Sequence, residues 1–86
     1  MATTEQAAEA AVMYSTQWCG YCRRLKSQMA REGIPFVEVD IETDRAAAEF
    51  VETANGGNQT VPTVKFPDGS VVTNPPIAVV REKMGR

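Results

Sequence analysis

Cys19 and Cys22 are the only cysteines of the chain, and they stand where a strand-like run gives way to a helix-like one. Ala10-Ala11-Val12-Met13-Tyr14-Ser15 is apolar on both faces apart from its end, which suits a central strand covered on both sides. Arg23 to Arg31 reads as a helix. Cys22, Leu25 and Met29 recur at three- and four-residue steps, with Arg23, Arg24 and Lys26 on the other sides. Few folds accept a buried strand that passes through Trp18-Cys19-Gly20-Tyr21-Cys22 into an amphipathic helix. The spacing puts the first sulfur at the helix N-terminus and the second inside the first turn. Free N–H groups and the helix dipole favour a thiolate there. Cys19 is therefore read as a nucleophile and Cys22 as a resolving thiol.

Other uses of the pair fit less well. A structural zinc ion wants four ligands drawn from Cys and His, and this chain has two cysteines and no histidine, so no metal site is expected. A purely structural disulfide across so short a loop removes little entropy from the unfolded chain. Two inert buried thiols remain as the plain reading of the pair, against which stand the flanking Trp18 and Tyr21 and the strand–helix junction.

The rest of the chain alternates in the same grammar. Residues 1–9 are rich in Ala, Thr and Glu and read as a frayed or short helical lead-in. Gly33 and Pro35 stop the first helix. Phe36 to Ile41 alternates apolar and acidic residues, as a second strand. Asp44 is a good N-cap for a helix over Arg45–Ala54, whose stripe is Ala47, Phe50, Val51 and Ala54. Asn55-Gly56-Gly57-Asn58 ends it. A third strand over Thr60–Phe66 is entered through Pro62. Pro67-Asp68-Gly69-Ser70 turns the chain into a fourth strand, Val71-Val72-Thr73. Pro75 and Pro76 start a last helix with Ile77, Val80 and Met84 on one face. The order is β-α-β-α-β-β-α. It predicts an α/β fold with a mixed four-stranded sheet, its first two strands parallel and its last two a hairpin, with helices on both faces.

At 86 residues the chain has room for one core, so residues 1–86 are expected to be a single domain. The net charge of -2 argues against nucleic acid as a partner. No apolar run approaches membrane-spanning length, and Met1-Ala2-Thr3-Thr4-Glu5 lacks the pattern of a signal peptide, so a cytoplasmic protein is expected. In that reducing compartment a closely spaced cysteine pair is more often catalytic than structural. A monomer is expected, because no large apolar helix face remains once the core is assigned.

The Cys-x-x-Cys after the first strand, Thr60-Val61-Pro62 before the third, and this element order resemble the glutaredoxins of the thioredoxin superfamily. Cys-Gly-Tyr-Cys, Val39-Asp40-Ile41-Glu42, Asn55-Gly56-Gly57-Asn58-Gln59-Thr60-Val61-Pro62 and Thr73-Asn74-Pro75 are similar to the actinobacterial mycoredoxins within that family. The resemblance implies a thioredoxin-like fold and thiol–disulfide oxidoreductase activity. It implies catalysis by Cys19 with Cys22, an aromatic Tyr21 in the active-site loop, and a cis peptide before Pro62. Spacing alone leaves cis and trans open. It further implies that the Thr60-Val61-Pro62 segment lies against the cysteines and that the backbone of Val61 pairs with the bound thiol like a strand. Trp18 and Tyr21 read as an apolar rim, and Gly20 as the residue that lets a substrate backbone come close.

The glycine pair and following acid with which glutaredoxins hold glutathione are absent, and Val72-Thr73-Asn74-Pro75-Pro76 stands there instead. A different small thiol is implied. Thr73 and Asn74 are candidate partners for the hydroxyls of mycothiol, with capping of the last helix as the rival role for Asn74. The expected reaction is reduction of mycothiol–protein mixed disulfides through Cys19. Mycothiol is co-substrate, no cofactor is tightly bound, and a mycothiol disulfide reductase recycles the product with NADPH. The alternatives are a dithiol donor reduced directly by thioredoxin reductase, an iron–sulfur-carrying glutaredoxin, and a non-enzymatic binding module.

Overall fold

A computed structural model describes residues 10–86, so the lead-in expected over 1–9 lies outside the described residues. Seven elements follow one another: β1 (Ala11–Ser15), α1 (Gly20–Arg31), β2 (Phe36–Asp40), α2 (Arg45–Ala54), β3 (Thr63–Lys65), β4 (Val71–Thr73) and α3 (Ile77–Lys83). The strands form one sheet in the order β2-β1-β3-β4. β1 runs parallel to β2, from Ala11 beside Phe36 to Ser15 beside Asp40. It runs antiparallel to β3, with Met13 opposite Val64, and β3 pairs antiparallel with β4. This is the mixed sheet expected from the element order, in a thioredoxin-like arrangement.

The two-residue period of the strands divides the core. On one face Ala11 and Met13 of β1 and Val64 of β3 pack with Leu25 and Met29 of α1 and Val80 of α3, sealed by Phe66 and Ile34. On the other face Ile41, Ala47 and Val51 form a smaller cluster, joined by Tyr14, Val39, Phe50 and Val61. The Tyr14 and Phe50 rings meet there with centroids 4.9 Å apart. So α1 and α3 cover one face and α2 the other. Having two neighbours and two covered faces is what gives β1 its near-continuous apolar run.

Several element bounds, and the buried face of α2, differ from the sequence reading. α1 begins at Gly20, not Arg23, because Cys19 takes the N-cap position. β2 ends at Asp40, although the Ile41 amide still donates to the Ser15 carbonyl at 3.0 Å. β3 is confined to Thr63–Lys65, because Thr60, Val61 and Pro62 run past the sheet end without pairing in it. The α2 stripe is rotated: Ala54 is exposed, and Ala48 is the further alanine that packs on the core. The Asp44 cap holds as expected, its carboxylate accepting the Ala47 amide at 3.0 Å.

Polar clamps tie the helices down. Arg81 of α3 grips Glu32 at the end of α1 through two bonds of 2.6 and 2.7 Å, the paired geometry that guanidinium and carboxylate favour. Ser15, at the end of β1, donates its hydroxyl to Glu38 of β2 at 2.6 Å, and Lys26 of α1 reaches the same carboxylate at 2.9 Å. The Ser15 bond first, and Lys26 second, hold the Glu38 carboxyl below its ordinary value of 4.5. A carboxyl lowered in the folded state adds stability above its unfolded pKa and loses it as pH falls through the folded one. Glu38→Gln should therefore lower the urea midpoint at neutral pH, yet lose less stability than the wild type between about pH 6 and about pH 3. Parallel acid limbs for the two proteins in urea titrations across that range would refute the clamp.

Candidate active site

The β1–α1 junction is short. Ser15 and Thr16 are buried, Gln17 and Trp18 are exposed, and Cys19 opens the helix. Helix N-caps are normally oxygen-bearing side chains that accept an amide of the first turn. Here the acceptor is sulfur: the Cys22 amide points at Cys19 Sγ at 3.1 Å. The Cys19 backbone is extended, at φ -88° and ψ 109°, and its carbonyl accepts the Arg23 amide at 3.1 Å. Cys19 and Cys22 are joined as a disulfide, with Cα atoms 5.2 Å apart. Cys19 keeps 6% exposure and Cys22 none. An outside thiol can approach only the first sulfur. Amide and helix dipole are both aimed at that atom, so the arrangement can stabilise a sulfur anion there.

The third strand brings a second segment to the same place. The Val61–Pro62 peptide is cis. The Val61 carbonyl oxygen lies 3.8 Å from Cys19 Sγ. Among the described residues neither the N–H nor the C=O of Val61 has a backbone partner. The Pro62 carbonyl accepts the Asn74 amide at 2.6 Å, which ties this segment to the β4–α3 connection. Thr60 is exposed and its carbonyl accepts the Thr63 hydroxyl at 2.8 Å.

The rim residues separate to two flanks. Tyr21 is 66% exposed and walls a cleft of about 410 Å³. Arg24 and Gln28 continue that wall on α1, and Asn74, Pro76 and Ile77 stand opposite. The cleft volume suits a small molecule, and among the described residues no carboxylate lines it. Trp18 lies on the other flank, 70% exposed, its indole N–H donating to Glu42 at 3.0 Å. Gly20 needs no space within the fold, since a Cβ there would meet nothing within 4 Å. Among the described residues nothing gives that glycine a steric reason. Arg23 turns back to the Gln17 carbonyl at 3.4 Å.

The structure separates Thr73 from Asn74 and removes one of the two roles left open for Asn74. Asn74 does not cap α3: the N-cap is Pro76, without a side-chain bond. Asn74 has φ 48°, the left-handed region in which Asn is better tolerated than most residues, and it lines the cleft. Thr73 is not brought to the cleft. Val72 packs on the α1 and α3 side of the sheet, so Thr73 points to the α2 side, where its hydroxyl donates to Asn55.

Three contributors escaped the sequence reading. Asn55 is read there as a helix stop, and it does end α2. Its amide group also donates to the Val51 carbonyl at 2.8 Å and to the Thr63 hydroxyl at 3.1 Å. Glu42 lies 24 residues from Trp18, and no local pattern joins them. Gln28 is one polar residue among several on α1, and only the fold shows which of them faces Asn74.

Comparison with known proteins agrees with this geometry. The family model Glutaredoxin matches residues 11–72. A Mycobacterium tuberculosis protein named as a glutaredoxin is 57% identical over 75 residues, covering 87% of this chain and 89% of its own. Mycoredoxin 1 of Corynebacterium glutamicum is 40% identical over 72 residues, covering 84% and 89%. The crystal structure of a glutaredoxin from Methanosarcina mazei superposes with a TM-score of 0.73 at 21% identity, over 93% of this chain and 82% of that one, a likeness of fold.

The Asn55 bridge is the part of this frame that one substitution tests. Asn55→Ala removes the donor from Thr63 and the acceptor from Thr73, leaving both hydroxyls short of a partner. A loss of about 1–3 kcal/mol in urea unfolding, with an unchanged slope, is expected. A loss below about 0.3 kcal/mol would mean that water replaces Asn55 without cost.

Proposed function

The chain belongs to the glutaredoxin family of thiol–disulfide oxidoreductases, and from that premise we propose that it reduces mixed disulfides between proteins and mycothiol, with Cys19 as nucleophile. The observation that carries the reading is the pair of sulfurs: one at the helix N-cap and open to a partner, the other directly behind it and sealed from solvent.

With both cysteines reduced, the Cys19 thiolate attacks the mycothiol sulfur of the mixed disulfide. A Cys19–mycothiol bond forms, the mycothiol–protein bond breaks, and the electron pair leaves on the protein thiolate, which takes up a proton. A second mycothiol, as thiolate, attacks the adduct on its mycothiol sulfur and releases mycothiol disulfide and the Cys19 thiolate. The sum is protein mixed disulfide plus mycothiol giving protein thiol plus mycothiol disulfide. No histidine is present to serve as base. Activation falls to the Cys22 amide and the α1 dipole, and the same stabilisation of negative charge on Sγ makes Cys19 a good leaving group when the adduct is resolved.

Cys22 offers a side path, since it can attack Cys19 and expel mycothiol, leaving the intramolecular disulfide. Its burial makes it a poor target for an external thiol. The unpaired backbone of Val61, beside the sulfur, is suited to hydrogen-bond the peptide-like amide of the thiol, with Thr60 and Pro62 framing it.

Two observations support mycothiol over glutathione: the 40% identity to a mycoredoxin and the character of the Tyr21–Asn74 cleft. Lacking a carboxylate, and with Arg24 on its wall, the cleft offers no counter-charge to an α-ammonium group. Asn74 and Gln28 are apt for a neutral sugar body instead. The cycle needs no tightly bound cofactor and draws on NADPH through a mycothiol disulfide reductase, as expected of a monomeric, single-domain protein of the reducing cytoplasm.

The test is NADPH oxidation with a mycothiolated protein in two coupled systems, one with mycothiol and its disulfide reductase and one with thioredoxin reductase alone. Turnover is expected in the first system only. Cys19→Ser should abolish it, by about 10³-fold or more, and Cys22→Ser should keep most of it. Turnover chiefly with thioredoxin reductase, lost in Cys22→Ser, would replace this reading with a dithiol donor.

A further inference from the structure

A mixed disulfide brings two bodies to one sulfur, and the two flanks of Cys19 are unlike. The sheet order β2-β1-β3-β4 sets them apart. Tyr21 opens toward the β4–α3 connection and a walled cleft with convergent polar groups. Trp18 stands toward β2. It is the only tryptophan in the chain, and it is not part of the Tyr21 cleft lining. An indole left 70% exposed gains little from packing and, untethered, would sample several rotamers. Among the described residues one bond restrains it, the indole N–H to Glu42 Oε2 at 3.0 Å.

Glu42 is well placed to act as that restraint, because its backbone is fixed in turn. The Glu42 amide donates to Asp40 Oδ1 at 2.8 Å. The Thr43 hydroxyl donates to the Asp40 carbonyl at 3.3 Å, and the Ile41 amide extends the ladder to Ser15 at 3.0 Å. Ser15 is the last residue of β1, four positions before Cys19. The turn that carries Glu42 and the loop that carries Cys19 therefore hang from one strand end.

We infer that Glu42 is a positioning residue that holds the Trp18 indole as a docking wall for the protein half of the mixed disulfide. This deepens the reading above and rests on it. A small polar thiol body suits the enclosed Tyr21 cleft. A flat, open aromatic face suits an extended protein segment instead, with an apolar side chain next to the modified cysteine lying on the indole. A wall fixed before the partner arrives spares the cost of ordering it at binding. Glu42 touches no reacting atom. Its effect is on how protein substrates bind, and not on the chemistry at sulfur.

The experiment compares two probes with the full chain: a mycothiolated peptide with leucine on either side of its cysteine, and the mixed disulfide of mycothiol with free cysteine. Glu42→Ala should raise KM for the peptide about five-fold with kcat nearly constant, and shift KM for the small probe by less than about two-fold. Glu42→Gln keeps an acceptor for the indole and should restore the peptide KM. Trp18 emission gives an independent reading, with Glu42→Ala raising acrylamide quenching and Glu42→Gln leaving it near the wild type. Trp18→Phe loses the N–H and should raise the peptide KM as well, and adding Glu42→Ala to it should change KM little further, as expected of coupled residues. Equal effects on both probes, or additive effects of the two substitutions, would overturn the inference. If the wild type turns over neither mycothiol probe but turns over their glutathione counterparts, the mycothiol reading fails, and the same comparison on those counterparts still decides the role of Glu42.

Discussion

Helix α1 is capped by sulfur. An oxygen at Cys19 would satisfy the Cys22 amide at least as well, so the cap is not there for helix stability alone. One contact serves as fold and as chemistry: the amide that needs an acceptor to start the helix is the donor that favours charge on the nucleophile. The elements around it fix where that contact sits. β1 is held by neighbours on both edges, and α1 is anchored through Leu25 and Met29. Cys22 belongs to the same buried stripe, which carries the second sulfur inward and leaves the first at the rim.

The sheet order then decides what can reach that rim. β3 lies beside β1, so the Val61–Pro62 segment arrives against Cys19. β4 lies beyond β3, so the turn at Asn74 and the start of α3 face Tyr21 and the outer side of α1. β2 lies on the opposite edge, so its last turn brings Glu42 to Trp18. A βαβ unit followed by a hairpin thus gives the sulfur a walled cleft on one side and an open aromatic face on the other, a division that fits the mixed-disulfide substrate proposed above.

Much of this was legible in the chain. Each strand and helix of the described residues is written as a period, a cap or a turn, because each reports a burial requirement that repeats along a short segment. The misses lie where that logic is silent. Ala54 fits the α2 stripe by spacing, yet it is the last residue of α2 and stays exposed. Capping, the rival role for Asn74, falls because the chain needs a left-handed residue there before Pro75 and Pro76. Thr73 and Asn74 are neighbours in sequence, and a strand sends neighbours to opposite faces. The pleat therefore gives Thr73 to Asn55 and leaves Asn74 at the cleft.

The sequence by itself determined the chemistry. Cysteine spacing, the strand before it and the helix after it are local properties, and local periodicity with helix-end electrostatics suffices to propose Cys19 as the reactive sulfur. What surrounds that sulfur was decided only by the tertiary structure. Val61 lies 42 residues from Cys19, Glu42 lies 24 from Trp18, and the Asn55–Thr73 bond spans 18. Such pairs leave no periodic trace, because the sheet brings them together by strand order and register, and the side chains themselves pay no local price for being far apart in the chain.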